Sequence, residues 1–367
     1  MPTRLLDIGH QDGDPIRLCS PPPDAQHPYA ALSHRWGATQ TFTTTTSTLA
    51  SREKHITFAA LPPTFQDAVT VSRSLDLGYL WIDSLCIIQN DAADWAREST
   101  KMRAVYSHAT LVIAASRARA DTAGFLHPRS IRGPITISFP AHSKTHHLSL
   151  QQTHATLSPH EAADPLRTEP LHTRAWALQE RYLAPRRLSF GTHQLFWECS
   201  RLVLAEDGRR NDVSPHRLAH LIPAGHPGGC HLAWHDMVKQ YSAHDLTLAS
   251  DRLPALAGLA QAFAAATGDT YIAGLWRGDL LAGLLWRRSG FEALRRTGTY
   301  RAPSWSWAAV EGRVSFRVYS WFNQVEGGRE EFAAVRGWEV QSVNGPFSSV
   351  TGGSLVLEAP VYPQSII

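Results

Sequence analysis

The sequence predicts an α/β fold: a doubly wound, mostly parallel sheet with helices on both faces, followed by a C-terminal α+β region with antiparallel strands. Three observations predict it. Tyr29–His34, Tyr79–Ile82 and Ala109–Ala115 are apolar almost throughout, as strands covered on both faces must be. Between them lie segments with apolar residues three and four apart, the spacing of a helix with one buried face. Beyond about residue 300 the pattern changes to short alternating runs, the mark of half-buried antiparallel strands.

The elements follow in order. Residues 1–28 read as a lead-in with one short strand candidate, Ile16-Arg17-Leu18, ahead of Pro21-Pro22-Pro23, which can continue neither sheet nor helix. Tyr29–His34 is the first central strand, and Trp36-Gly37 ends it in a turn that needs glycine's conformational freedom. Thr39–Thr48 is polar and β-branched, so it reads as a surface loop able to cover a crevice. A helix begins at Leu61-Pro62-Pro63-Thr64 and carries Phe65, Ala68, Val69, Ser72 and Leu75 at helical spacing, with Gly78 as its stop. Strand Tyr79–Ile82, an acidic loop, a helix over Asp94–Tyr106 and strand Ala109–Ala115 complete the alternation expected of a doubly wound domain.

Order weakens from Asp121 to Pro170, where Ile135–Phe139 is a strand candidate. It returns in a helix over Arg174–Leu183 and in two short strands, Arg187–Phe190 and Gln194–Cys199, around a turn at Gly191. These elements make residues 29–200 one domain. Residues 201–232 are rich in Pro, Gly, His and Arg and read as a linker or long loop. The C-terminal region, residues 233–367, carries helices over Trp234–Tyr241 and Asp251–Ala266, alternation at Pro303–Ala308, and a strand at Ser354–Ala359.

Composition bounds the function. The 367 residues are 43% hydrophobic, enough for real cores, and 35 basic against 32 acidic residues leave a net charge of +3. Such a balance lacks the electrostatic footprint of a nucleic-acid binder. Cys19, Cys86, Cys199 and Cys230 are scattered, which suits a reducing compartment better than a disulfide scaffold or a zinc ribbon. The histidines lack the paired spacing of a zincin, so no metal is expected. With no basic stretch leading into an apolar core at the N-terminus and no apolar run of membrane-spanning length, a soluble cytoplasmic protein is expected.

The chemistry gathers at strand ends. In an open α/β sheet, side chains just beyond the carboxyl ends of strands face a crevice. Ser33, His34, Arg35 and Trp36 leave the first strand there, and Asp83, Cys86 and Gln89 leave the second. His34 titrates in the range of general acid–base work. Asp83 either orients His34 or accepts from a ligand hydroxyl, or else caps the turn that follows. Cys86 is either a nucleophile with His34 as base or, flanked by Leu85, Ile87 and Ile88, a buried small hydrophobe. Gln89 binds a polar ligand or satisfies backbone groups in the turn.

Five stretches together resemble the HET domain, the heterokaryon-incompatibility domain of filamentous fungi: YAALSHRWG at 29–37, LPPTFQDAVTV at 61–71, YLWIDSLCIIQND at 79–91, Met102–Ala109, and RAWALQERYLAPR at 174–186. Leu246-Thr247, Ser250–Leu256, Gly274-Leu275-Trp276 and Pro303–Trp307 resemble segments that commonly follow it. The resemblance implies a role in fungal self/non-self recognition or immunity. It also implies a distant, TIR-like relationship, and enzymatic TIR domains cleave NAD with one helical glutamate a few residues after an aromatic. Trp176-Ala177-Leu178-Gln179-Glu180 is similar to that arrangement. On this reading Glu180 stabilises the oxocarbenium-like charge that develops as the nicotinamide–ribose bond breaks. Trp176 stacks on a planar ring, Arg35 or Arg174 meets phosphates, and Gln179 lines the site, with NAD as substrate and no cofactor required. On residue types alone, Glu180 equally suits an ion pair with Arg174, Arg181 or Arg186, with Trp176 in the core. Two other functions fit the sequence: a stand-alone enzyme of secondary metabolism, a cyclase, isomerase or lyase using His34, Asp83, Cys86 and Glu180 on a small molecule; and a non-enzymatic signalling module that acts by self-association.

Overall fold

The structure is a computed structural model, and it describes residues 1–22, 24–37, 42–129, 135–141, 144–150, 164, 166–211, 227–291, 293–316 and 333–360. The chain forms two compact units that alternate along the sequence. The first comprises Met1–Asp91, Ala109–Thr173 and Pro185–Pro215, and the second Ala92–His108, Arg174–Ala184 and His216–Ile367. No helix among the described residues is long and apolar enough to cross a membrane.

The first unit is built on one nine-stranded sheet. Its strands are β1 (Leu5–Asp7), β2 (Arg17–Cys19), β3 (Tyr29–Ser33), β4 (Tyr79–Trp81), β5 (Leu111–Ala114), β6 (Arg186–Phe190), β7 (Leu195–Cys199), β8 (Val203–Ala205) and β9 (Arg210–Asn211). Across the sheet the order is β9-β8-β7-β6-β5-β3-β4-β1-β2. The four central strands are parallel, with Ala30 opposite Leu80 on one side and Leu111 on the other, and Ile113 opposite Leu188. Both flanks are antiparallel. The sheet is therefore mixed rather than mostly parallel. Hairpin turns let the outer strands pair antiparallel, whereas each central pair needs a long, helix-bearing crossover.

Burial explains the centre. Every residue of β3 and of β5 is buried, so neither strand shows alternation. Leu5 and Leu6 are also fully buried, and β1 pairs with β4 through Leu6 and Leu80. The expected lead-in is thus part of the sheet. The expected linker also begins inside it, since β8 and β9 extend the β6–β7 hairpin. Helix α1 (Leu49–Lys54) buries none of its residues and follows the Thr-rich segment. Helix α2 (Pro63–Ser74) starts with proline in its first turn, where the missing N–H costs nothing. It ends before Gly78, through Asp76 at φ 56°. The expected acidic loop after β4 instead opens with one helical turn, α3 (Asp83–Cys86).

In the second unit, α4 (Ala92–His108), α5 (Ala175–Leu183) and α7 (Ala257–Thr267) pack on one another, and α6 (Pro227–Tyr241) lies between α5 and α7 in the chain. Trp234, Phe263, Tyr271 and Trp276 form an aromatic core, with Phe263 stacked on Trp276 at 4.3 Å. The segment around Pro303–Ala308 is not a strand. Ser306 accepts from the Ala308 N–H and caps a single 3-10 turn over Trp307–Ala309. The expected C-terminal strand is present as half of an antiparallel hairpin, Ala334–Ser342 with Val350–Glu358.

Candidate functional site

Chain order places the reversal of the central sheet between β3 and β5: from β3 the chain crosses to β4 on one side, then returns to β5 on the other. In open α/β sheets the crevice beyond the carboxyl ends of the strands at such a point is where ligands bind. Ser33 and His34 leave β3 there, both about 1% exposed. The backbone is tied across the point by the Ala115 N–H, which donates to the Ser33 carbonyl at 3.0 Å. Gly37 turns the chain away at φ 84°, and a Cβ there would lie 2.7 Å from that of Ala120, so both backbone and space demand glycine.

Asp83 is the best-held functional group of this region. Its Oδ2 accepts from the Trp36 indole N–H at 2.8 Å and its Oδ1 from the Ser84 N–H at 2.7 Å. His34 Nδ1 lies 3.8 Å from Asp83 Oδ1, near enough for attraction but beyond a hydrogen bond, and both side chains are nearly inaccessible. Phe65 of α2 meets the His34 ring edge-on at 5.1 Å and fixes its plane. His34, Trp36 and Asp83 are thus brought together. Arg35, half-buried, donates to the Thr173 hydroxyl at 3.3 Å.

For two other residues of the second strand end, the structure favours one of the two readings left open by the sequence. Cys86 is buried, and desolvation pushes its thiol up to about 12. Burial and the raised pKa favour the small-hydrophobe reading over the nucleophile. Gln89 donates its side-chain amide to the Asp83 and Ile87 carbonyls, which makes it a turn-former. The Thr-rich segment, whose residues 38–41 lie outside the described ones, is pinned rather than simply superficial. Thr44 is fully buried, donates to the Ser84 and Leu85 carbonyls and accepts from the Gln89 N–H.

Glu180, Trp176, Gln179 and Arg174 belong to the second unit. Helix α5 was expected to show one buried face, but every residue from Ala177 to Leu183 is buried and Trp176 alone is half-buried. Trp176 donates its indole N–H to Asp251 Oδ2 at 3.2 Å. Gln179 accepts from the Gly258 N–H at 2.7 Å, satisfying an orphan donor in the first turn of α7. That makes it a structural cap rather than a ligand contact. Arg174 precedes α5 and pairs through the backbone with Asp245. Glu180 is 1% exposed.

Sequence reasoning missed two carboxyls. Asp251 is held above the usual carboxylate range by desolvation, which outweighs the Trp176 hydrogen bond and the Arg174 charge. Asp121, in the loop after β5, is buried and likewise raised by desolvation. Asp121 sits in a short polar stretch without periodicity, and Asp251, half-buried, reads in the sequence only as the start of a helix. Among the described residues no group of three or more His, Cys, Asp or Glu is arranged to hold a metal ion.

The family model described as Heterokaryon incompatibility protein (HET) matches residues 29–180, from the first residue of β3 to Glu180. Residues 29–180 are thus similar to a HET domain. The matched stretch holds the His34, Trp36 and Asp83 cluster, and it ends ahead of β6, the fourth parallel strand of the sheet. No curated protein and no solved structure matches the chain.

Proposed function

We propose that this HET protein acts in fungal self/non-self recognition or immunity by binding a nicotinamide dinucleotide and cleaving its nicotinamide–ribose bond. The observation that carries the reading is the ordered Asp83–Trp36–His34 cluster at the carboxyl ends of adjacent parallel strands. This reading assigns recognition of the ribose hydroxyls to the carboxylate and the imidazole beside it. Trp36 supplies the donor that orients it, and Arg35 supplies a cation for phosphate. The four parallel strands run second, first, third, fourth in chain order, the start of the flavodoxin-like doubly wound order, and this supports the TIR-like reading.

In that reading Glu180 is the carboxylate that stabilises the oxocarbenium-like charge. Its helix follows the third parallel strand and precedes the fourth in the chain. The leaving nicotinamide is already neutral once the bond breaks, so no strong base is needed, and water captures the ribosyl cation.

Incubation of the full chain with NAD, with released nicotinamide followed by chromatography, tests this. Glu180→Gln is expected to lower the rate by about 10²–10³, the cost of removing one electrostatic stabiliser. Asp83→Asn is expected to raise KM more than it lowers kcat. A wild-type protein that releases no more nicotinamide than Glu180→Gln would overturn the enzymatic reading. Cell death that persists in Glu180→Gln would then favour self-assembly.

A further inference from the structure

A cleft lies in the first unit, away from the carboxyl-end cluster. Its volume is about 470 Å³, and it is lined by Asp12, Pro15, Ile56, His55, Phe58 and Arg73 among others, a size that suits a small molecule. Arg73 stands eight residues beyond Phe65 on α2, about 12 Å along the helix axis. Phe65 contacts His34, so Arg73 marks the opposite end of the helix.

The guanidinium of Arg73 is built into the fold on one edge and open on the other. Its Nε–H donates to the Ile8 carbonyl at 3.0 Å, and its Nη2 donates to the carbonyls of Ile8 and Asp14 at 2.7 and 2.9 Å. Nη1 faces Asp12 Oδ1 at 3.7 Å, too far for a hydrogen bond. The Arg73 side chain is 6% exposed, whereas that of Asp12 is 97% exposed. A buried cation therefore offers its last two donors to the cleft, guarded by an unanchored carboxylate.

The other acid of the cleft is already occupied. Asp14 Oδ2 accepts from the His10 and Gln11 N–H groups, and these bonds hold its carboxyl below the usual range. The rest of the lining mixes apolar Pro15, Ile16, Ile56 and Phe58 with polar His55, Thr57 and Thr70; Phe58 is 39% exposed, and Ile56 bridges to Ile16 along the wall. Arg73 cannot present its two-nitrogen fork, because Nε and Nη2 are committed to backbone carbonyls. A carboxylate, which a single nitrogen can hold, fits better than a phosphate, which calls for several convergent donors.

We propose that this cleft binds a small carboxylic acid with an apolar body, its carboxylate on Arg73 Nη1 and its body against Phe58, with Asp12 as a tethered competitor for the same donors. The site is independent of the NAD reading. Binding of 4-phenylbutyrate and of its neutral amide to the full chain, measured by ligand-observed NMR titration, tests it. The carboxylate is expected to bind at least about tenfold more tightly than the amide, the worth of one charge-assisted hydrogen bond. Asp12→Asn is expected to tighten carboxylate binding severalfold, and Phe58→Ala to weaken both compounds. Both residues are exposed, so these variants keep the test open if Arg73→Lys does not fold. Equal binding of acid and amide, no binding of either, or an affinity unchanged in Asp12→Asn would overturn the proposal.

Discussion

Asp83 and Cys86 stand three residues apart on one helical turn and have opposite chemical fates. The carboxylate accepts from Trp36 and Ser84, so its two oxygens are fixed in direction. The thiol is buried among Leu85, Ile87 and Ile88, where its ionised form would have no solvation. Native protein treated with iodoacetamide at about pH 8 is therefore expected to leave Cys86 unmodified by mass spectrometry, with label appearing there only after unfolding. Rapid native labelling of Cys86 would contradict the burial. Asp251 gives a pH dependence of definite sign. Its folded pKa is raised above the ordinary value of 3.8, so the folded state holds the proton more tightly than the unfolded state does. Its contribution to stability is fully present below that ordinary value and is lost as the pH rises through the folded pKa. Asp251→Asn keeps an acceptor for the Trp176 N–H and removes the titration. Urea unfolding is expected to show the variant gaining on the wild type as the pH rises above the ordinary carboxylate value, and a wild type that instead gains on the variant would refute the assignment.

The β6–β7 hairpin shows what a single pair of residues does for an element. Arg187 and Glu198 are directly opposite in register, 2.8 Å apart, and 1% and 2% exposed. Removing one charge strands the other in a medium that solvates it poorly. Arg187→Met is expected to cost about 3–5 kcal/mol in urea unfolding, and adding Glu198→Leu is expected to restore most of it. A double variant no more stable than the single one would show that the pair does not act as a unit. These residues also mark how far the sequence could be read. Strands β3 and β5 were legible because continuous apolar runs have few other uses. Leu5–Asp7 was not, because three residues cannot display a period. Helix α1 was hidden because nothing in it is buried. Trp305 and Trp307 alternate with serine as in a strand, yet the Ser306 hydroxyl bonds the Ala308 N–H and the Ala273 carbonyl and closes a turn instead. In the site, residue types at strand ends pointed to His34, Trp36 and Asp83. What Gln179 does was illegible, since its partner Gly258 lies 79 positions away.

For the whole molecule, the boundary of the HET match differs from the boundary of anything that folds. Residues 29–180 omit β1 and β2 on one flank of the sheet and β6 to β9 on the other. They also omit α7, on which α4 and α5 pack within the second unit. A fragment of residues 29–180 is expected to lack cooperative thermal unfolding and to bind a dye for exposed apolar surface, whereas the full chain should unfold cooperatively. A well-folded fragment would show that the flanking strands are dispensable. The alternation of the two units along the sequence also governs the order of events during synthesis. Strand β3 ends at Ser33, but β6, the last of the four parallel strands, is complete only at Phe190. At ordinary rates of translation this interval is about 10–30 s. Strand β3 gains its neighbours β4 and β5 by Ala114, but the far edge of β5 has no partner until β6 emerges, so an apolar strand edge stays open through the middle of the chain's own translation.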